Sequence, residues 1–360
     1  MKRVLQVIRT MGYGGAETFI MNLYRNIDRN KIQFDFLVND EGEYDKEIRE
    51  LGGKVYKIPY ITDVGQIKYV KELEGFFENH PEYQVIHSHI DQVSGIIVEI
   101  ANKCKIKKII SHSHNTKNSN GIFGKLYKRY LQSKINKNTT YKLACGMEAA
   151  KWLYKKSYKD AIIINNGIEI DKFKYNEDNR KNIRKELNIT ESTIVIGHIG
   201  RFSKQKNHTF LVDIFYEFQK NNFDSMLLLV GEGVLKEKIK KKIEKLGIKD
   251  KVIILNNRPD TYKIYSAFDV LIFPSLFEGL SVVLIEAQCN GLKILTSENI
   301  DKNTDITGNV FYKKLSESPK EWAKEIKQIN IKRKKVEEMV KDSEYNIKKV
   351  AKKMEKIYLS

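Results

Sequence analysis

The 360-residue chain predicts two successive open α/β domains, each a parallel sheet with helices on both faces. Three observations carry that expectation. Short apolar runs alternate with helix-length stretches along the whole chain. The strand runs are apolar without strict alternation, as in strands buried on both sides. The pattern pauses at the turn signal Asn165-Asn166-Gly167 and a polar stretch to about Ser192, then restarts. That stretch reads as the hinge between a domain ending at 167 and a domain beginning at 168.

In the first half, Val4–Ile8 is a strand feeding the loop Thr10–Gly15 and a helix over Ala16–Asn26. Strands follow at Phe34–Val38, Lys54–Ile58, Gln84–His87, Lys107–Ser111, Tyr141–Cys145 and Ala161–Asn165. The intervening helices are expected at Tyr44–Leu51, Gly65–Glu78, Gln92–Lys103, Phe123–Lys137 and Glu148–Lys156. In the second half, strands Thr193–Ile199, Met226–Val230, Val252–Leu255, Val270–Phe273 and Lys293–Thr296 alternate with helices at His208–Lys220, Leu235–Leu246 and Thr261–Ala267. Helices at Pro319–Ile329 and Glu344–Tyr358 close the chain. Ligands of such sheets bind at the strand C-terminal ends, here facing the gap between the domains.

Bulk properties narrow the function classes. Hydrophobic content of 41% with 10% aromatics is that of a globular protein. No apolar run reaches the length of a membrane-spanning helix, and the basic N-terminus lacks the apolar core of a signal peptide. Three scattered cysteines, Cys104, Cys145 and Cys289, read as free thiols in a reducing cytoplasm. The formal charge of +18 is uneven: residues 1–100 hold 12 Lys/Arg against 16 Asp/Glu, whereas 101–159 hold 15 against one. Such a basic region attracts anionic lipid, phosphorylated substrate or nucleic acid. Nucleic acid is not expected, since no recognition motif accompanies the charge.

The stretch Phe273–Ala287, FPSLFEGLSVVLIEA, organises the candidate site. An apolar strand breaks at Pro274-Ser275, carries Glu278 before Gly279, and turns into a helix holding Glu286. The unpartnered amides near Leu280, Ser281 and Val282 suit a phosphate, and the two acids suit ligand hydroxyls. A sugar nucleotide has both. Arg201, after Gly200 at a strand end, and Lys206 could neutralise a diphosphate. The loop Gly12-Tyr13-Gly14-Gly15-Ala16-Glu17 opens the first helix and lets a ligand approach the backbone. His87, His89, His112 and His114 end two strands of the first domain. A metal reading lacks companion acids or cysteines, so one cleft histidine acting as polar contact or base is the expectation. There is no D-x-D, no G-x-x-x-x-G-K-[ST] and no G-x-S-x-G.

Together these segments resemble the retaining glycosyltransferases of family 4, which have the two-domain GT-B fold. The resemblance rests on GGAE at Gly14–Glu17, HSHNT at His112–Thr116, NGIEIDKF at Asn166–Phe173, GRFSKQKN at Gly200–Asn207, GEG at Gly231–Gly233 and EGLSVVLIEA at Glu278–Ala287. The HSHNT and EAQ variants look like the capsular and exopolysaccharide branch. The resemblance implies that Arg201 and Lys206 hold the donor diphosphate, Glu286 the ribose, and Glu278 the donor sugar. It further implies phosphate contacts from the amides after Gly279 and from Gly14 and Gly15, and donor contacts from Asn166, Gly200, Gly231 and Glu232. His114, which directly precedes Asn115, matches the family's catalytic cleft histidine best, with His112 as the other candidate. The resemblance puts Glu17 and His112 on the acceptor side. The last helix, from about 344, would return to the first domain and leave 168–343 as the nucleotide-sugar domain. Asn303, where many relatives carry an acid, and Glu169, where Asp is common, depart from the pattern.

The resulting expectation is a metal-independent transfer, without any cofactor, from a UDP-sugar to a lipid-linked or oligosaccharide acceptor. The protein would be cytoplasmic, at an anionic membrane surface reached through the helix around Phe123–Lys137. Alternatives are a sugar-nucleotide epimerase of the same fold and a polyanion-binding protein.

Overall fold

A computed structural model of the chain describes residues 1–115, 122–278 and 281–360. Thr116, most of the loop His112–Asn120, Gly279, Leu280 and the side chains of Ile122, Phe123 and Lys125 lie outside the described residues. The chain divides into two compact units, one made of Met1–Ile168 with Ile347–Ser360, the other of Glu169–Asn346.

The first unit holds β1 (Lys2–Val7), α1 (Gly15–Asn26), β2 (Ile32–Val38), α2 (Asp45–Glu50), β3 (Val55–Lys57), α3 (Ile61–Asn79), β4 (Val85–Ser88), α4 (Ser94–Lys103), β5 (Lys108–Ser113), α5 (Ile122–Asn138), β6 (Tyr141–Ala144), α6 (Met147–Tyr154) and β7 (Ile162–Ile163). Its parallel sheet has the order β3-β2-β1-β4-β5-β6-β7. Apolar clusters fill both faces, one around Phe19, Tyr24 and Phe34, the other around Ile86, Ile97 and Tyr154. α3 starts at Ile61, four residues before its expected start, and is interrupted at Gly65, whose φ of 78° belongs to the left-handed region that glycine tolerates.

The second unit holds α7 (Ile170–Phe173), α8 (Glu177–Glu186), β8 (Ile194–Ile199), α9 (His208–Gln219), β9 (Ser225–Val230), α10 (Lys236–Lys245), β10 (Val252–Leu255), α11 (Thr261–Ala267), β11 (Val270–Phe273), α12 (Val282–Cys289), β12 (Lys293–Ser297), β13 (Val310–Lys313), α13 (Pro319–Gln328) and α14 (Glu337–Asp342). Its parallel sheet runs β10-β9-β8-β11-β12-β13. α13 starts on a capping box between Ser318 and Glu321, with Pro319 in its first turn.

The polar stretch expected as a hinge is largely helical. Asn176 caps α8 by accepting from the Asn179 amide at 2.7 Å. Its anchors are Ile183 and Arg184, the latter reaching Asp269 at 2.7 Å and the carbonyl of Ala267. A helix held by one arginine lacks the apolar stripe that periodicity detects. Arg333 acts similarly. It donates to the carbonyls of Tyr265, Ser266, Phe268 and Asn290 at 2.6–3.1 Å, closing the C-terminal end of α11. The closing helix of the chain, α15 (Ile347–Leu359), begins three residues past Glu344 and packs Val350, Met354 and Tyr358 among α1 and β2 residues of the first unit.

Candidate active site

In each unit, chain order reverses beside a central strand, which opens a crevice at the strand C-terminal ends. In the second unit β8 is followed outward by β9 and β10, and the chain then crosses to β11 on the other side of β8. The loops leaving β8 and β11 carry Arg201, Lys206 and Glu278, and hydrogen bonds join them. The Leu276 amide donates to the Gln205 carbonyl at 2.8 Å, Gln205 Nε2 to the Phe277 carbonyl at 3.0 Å, and Asn207 Nδ2 to the Pro274 carbonyl at 3.2 Å. This joint brings Lys206 Nζ to 2.9 Å from Glu278 Oε1, and the ammonium also lies 4.5 Å from the centre of the Phe273 ring. Both side chains are mostly buried, so each charge is oriented by the other.

Arg201 is exposed and has no carboxylate partner among the described residues. The turn after β9 passes directly over this loop. Gly231 has φ 149°, and a Cβ there would lie 2.2 Å from the Gly200 carbonyl oxygen. Only glycine permits that crossing. Glu232 is exposed, and its carbonyl accepts from the Phe202 amide at 2.8 Å.

The helix expected to offer amides from Leu280 onward starts at Val282, with Ser281 as its N-cap. Gly279 and Leu280 lie outside the described residues. The Ser281 hydroxyl is buried and has no hydrogen-bond partner among the described residues. Glu286, one turn on, accepts from the hydroxyl of the fully buried Tyr265 at 2.5 Å. Burial pushes its carboxyl up from 4.5 to about 7, against the lowering effects of Tyr265 and Lys172. A carboxyl whose folded pKa exceeds its unfolded value weakens the fold as pH rises through that window. Between pH 4.5 and 7 the protein should lose up to about 3 kcal/mol relative to Glu286→Gln. Urea unfolding of both proteins across that range measures it, and parallel curves would refute it.

In the first unit the reversal lies between β1 and β4. β4 delivers His87 and His89, and the adjacent β5 delivers His112 and His114. All four rings meet: His87 and His112 stack at 5.3 Å, His112 and His114 at 4.3 Å, and His89 lies 5.1 Å from His114. His89 Nδ1 is 2.8 Å from His114 Nε2, and His112 Nδ1 is 3.2 Å from His87 Nε2. Burial lowers all four pKa values, that of His114 to about 3, so the rings are neutral. Ligand atoms of His87, His89 and His112 lie within 4.8 Å of one another, the one such group among the described residues. Apart from His112 Nε2, the nitrogens of these three rings already bond to each other, to Tyr358, to Gln6 or to His114. Beside them Asp91 receives the Asn115 amide at 2.6 Å, and burial raises its carboxyl to about 6.

The remaining expected residues divide between the units. Gly14 caps α1, Gly15 is its first residue, and the Glu17 carboxylate folds back onto Gly14. Asn166 belongs to the first unit with Gly14 and Gly15, and its buried Oδ1 has no partner among the described residues. Sequence reasoning missed Gln6, Tyr265 and Tyr358. The signal for Gln6 is a lone amide in the apolar run of a central strand, KRVLQV, where only a satisfied polar group survives burial.

The chain has relatives among known proteins. A sequence model of the family Glycosyl transferases group 1 matches residues 179–349. The putative glycosyltransferase EpsF of Bacillus subtilis (strain 168) is 33% identical over 333 residues, covering 90% of this chain and 87% of its own length. The UDP-Gal:alpha-D-GlcNAc-diphosphoundecaprenol alpha-1,3-galactosyltransferase of Escherichia coli is 25% identical over 322 residues, covering 82% of each chain. Among solved structures, Anabaena Alr3699/HepE in complex with UDP and glucose superposes with a TM-score of 0.80 at 16% identity, over 100% of both chains. Two parallel-sheet units of Rossmann type, matched over 90% of the chain by a glycosyltransferase 33% identical to it, make the chain a member of the group 1 glycosyltransferases with the GT-B fold.

Proposed function

We propose that the chain transfers a sugar, with retention, from a UDP-sugar to a lipid-linked glycan during synthesis of a bacterial surface polysaccharide. The observation that carries the reading is the Lys206–Glu278 pair at the point where the second sheet reverses. Arg201 and Lys206 are suited to the charge that develops on a departing diphosphate, and fixed cations stabilise such charge without reorganising. Glu286 is suited to the ribose hydroxyls and Glu278 to those of the donor sugar. In the transfer, the bond between the anomeric carbon and the diphosphate oxygen breaks. The acceptor oxygen bonds to that carbon from the same face, and its proton passes to the departing diphosphate oxygen. Glu278 positions the sugar and forms no bond to it, and no metal is required for charge neutralisation. His114 is suited to act as the catalytic histidine, beside the acceptor-side residues His112 and Glu17. The nucleotide choice is supported by relatives that carry UDP or use UDP-Gal, and the acceptor by the diphosphoundecaprenol-linked substrate of the E. coli enzyme.

No helix among the described residues is long and apolar enough to cross a membrane. The proposed membrane contact is α5, which buries Leu131 and Ile135 but exposes Leu126, Tyr127 and Tyr130 within the basic region. A single assay tests donor, acceptor and surface: vesicles of anionic lipid carrying an undecaprenyl-diphosphate sugar, mixed with the protein and radiolabelled UDP-sugars in EDTA. Label should move to the lipid with the anomeric configuration kept, and the protein should float with the vesicles. Flotation unchanged by neutralising Lys125, Lys128 and Arg129 would reject the membrane contact, and absence of transfer from every UDP-sugar would reject the donor.

A further inference from the structure

Four of the five histidines of the first unit, His87, His89, His112 and His114, hang from one side chain, the buried amide of Gln6 on β1. Two strings of hydrogen bonds leave it. In one, Gln6 Nε2 lies 3.3 Å from the Tyr358 hydroxyl, which is 2.7 Å from His87 Nδ1, and His87 Nε2 is 3.2 Å from His112 Nδ1. In the other, Gln6 Oε1 lies 2.9 Å from His89 Nε2, and His89 Nδ1 is 2.8 Å from His114 Nε2. The two strings end at His112 Nε2 and His114 Nδ1, which are buried without a hydrogen-bond partner among the described residues.

A neutral imidazole has one N–H and one lone pair, so each ring passes its polarity to the next. With the Gln6 amide N–H toward Tyr358, the tyrosine hydroxyl accepts from Gln6 and donates to His87 Nδ1. His87 Nε2–H then donates to His112 Nδ1, and His112 must end in an outward Nε2–H. The Gln6 oxygen accepts from His89 Nε2–H, so His89 Nδ1 accepts from His114 Nε2–H, and His114 ends in an outward lone pair on Nδ1. Turning the amide over reverses every bond in both strings at once. The two ends are therefore opposite in either state, because one amide presents a donor to one string and an acceptor to the other.

We propose that Gln6 wires His112 and His114 as a matched donor and acceptor, on rings stacked 4.3 Å apart, for one hydroxyl of a sugar. A hydroxyl is the group that gives one proton and takes one. Gln6 and Tyr358 are positioning residues, acting through the rings. The inference rests on reading the chain as a glycosyltransferase with His114 on the acceptor side, but its test needs no turnover.

The test is nitrogen-15 NMR of histidine-labelled protein at pH 7, which distinguishes the tautomers. His112 and His114 should each show a single tautomer, and it should be the same in both, Nε2–H or Nδ1–H, because one ring ends in Nε2 and the other in Nδ1. Tyr358→Phe should leave His114 in one tautomer and split His112 into two. Gln6→Met should split both, with about a tenfold loss of kcat/KM, the scale for losing the partner that orients a site group. Unlike tautomers at His112 and His114 would overturn the proposal. So would a Tyr358→Phe protein in which His112 stays single, or stoichiometric zinc carried by protein purified without chelator, since zinc would take the same nitrogens. Glucose or galactose shifting both terminal nitrogens would assign the hydroxyl to the acceptor, and a shift by UDP-glucose or UDP-galactose alone would assign it to the donor. A shift by none of the four would overturn the recognition half. The expected tautomers in a protein that transfers no sugar would instead overturn the proposed function and leave the wiring intact.

Discussion

Replacing Lys206 by alanine is expected to lower kcat/KM for the UDP-sugar by ~10²–10³-fold, the range for removing one fixed charge-stabilising donor. Two losses coincide in that variant. The departing diphosphate loses a cation held by the joined β8 and β11 loops, and Glu278 loses its partner at 2.9 Å while remaining mostly buried. Arg201→Ala removes an exposed cation with no carboxylate partner among the described residues, so its effect should be smaller and should weaken at higher salt. Lys206→Arg keeps the charge but moves its donors from a point to a fork, and should recover only part of the activity. The measurement is steady-state transfer with UDP affinity by calorimetry. Unchanged kcat/KM in Lys206→Ala would remove the lysine from the reaction and leave it as a partner of Glu278.

Arg333→Met should destabilise the second unit by about 3 kcal/mol, read by urea unfolding. The guanidinium donates to four backbone carbonyls, three of them at or just beyond the end of α11, and burial has already pulled its pKa down to about 10. Methionine matches the aliphatic stem but leaves those carbonyls without donors, and an unsatisfied buried acceptor costs about 1–3 kcal/mol. The arginine also sits where a cation complements the helix dipole. Loss below about 1 kcal/mol would mean that water replaces the guanidinium.

What sequence makes legible here follows its periodicity. The strands of both sheets are near-continuous apolar runs, and their alternation with helices gives the parallel architecture directly. The elements it misses lack such a stripe. α8 is anchored by Arg184, α14 buries little beyond Val340, and β13 is a four-residue edge strand with a single neighbour. Within the site, Arg201, Lys206 and Glu278 are readable because strand ends and loop chemistry mark them. The pairing of Lys206 with Glu278 across 72 positions is a product of sheet order, which no local pattern encodes. Nor does any local pattern link Gln6 to Tyr358, 352 positions away.

That last separation bears on how the protein is made. The second unit is one uninterrupted segment, whereas the first is split around it, and α15 supplies the lid over α1 and β2. During translation the leading 168 residues must wait, with the greasy patch over Phe19, Tyr24 and Phe34 uncovered, until Val350, Met354 and Tyr358 emerge. The part synthesised first is thus the part completed last, and a nascent chain halted before α15 should be the form that chaperones hold.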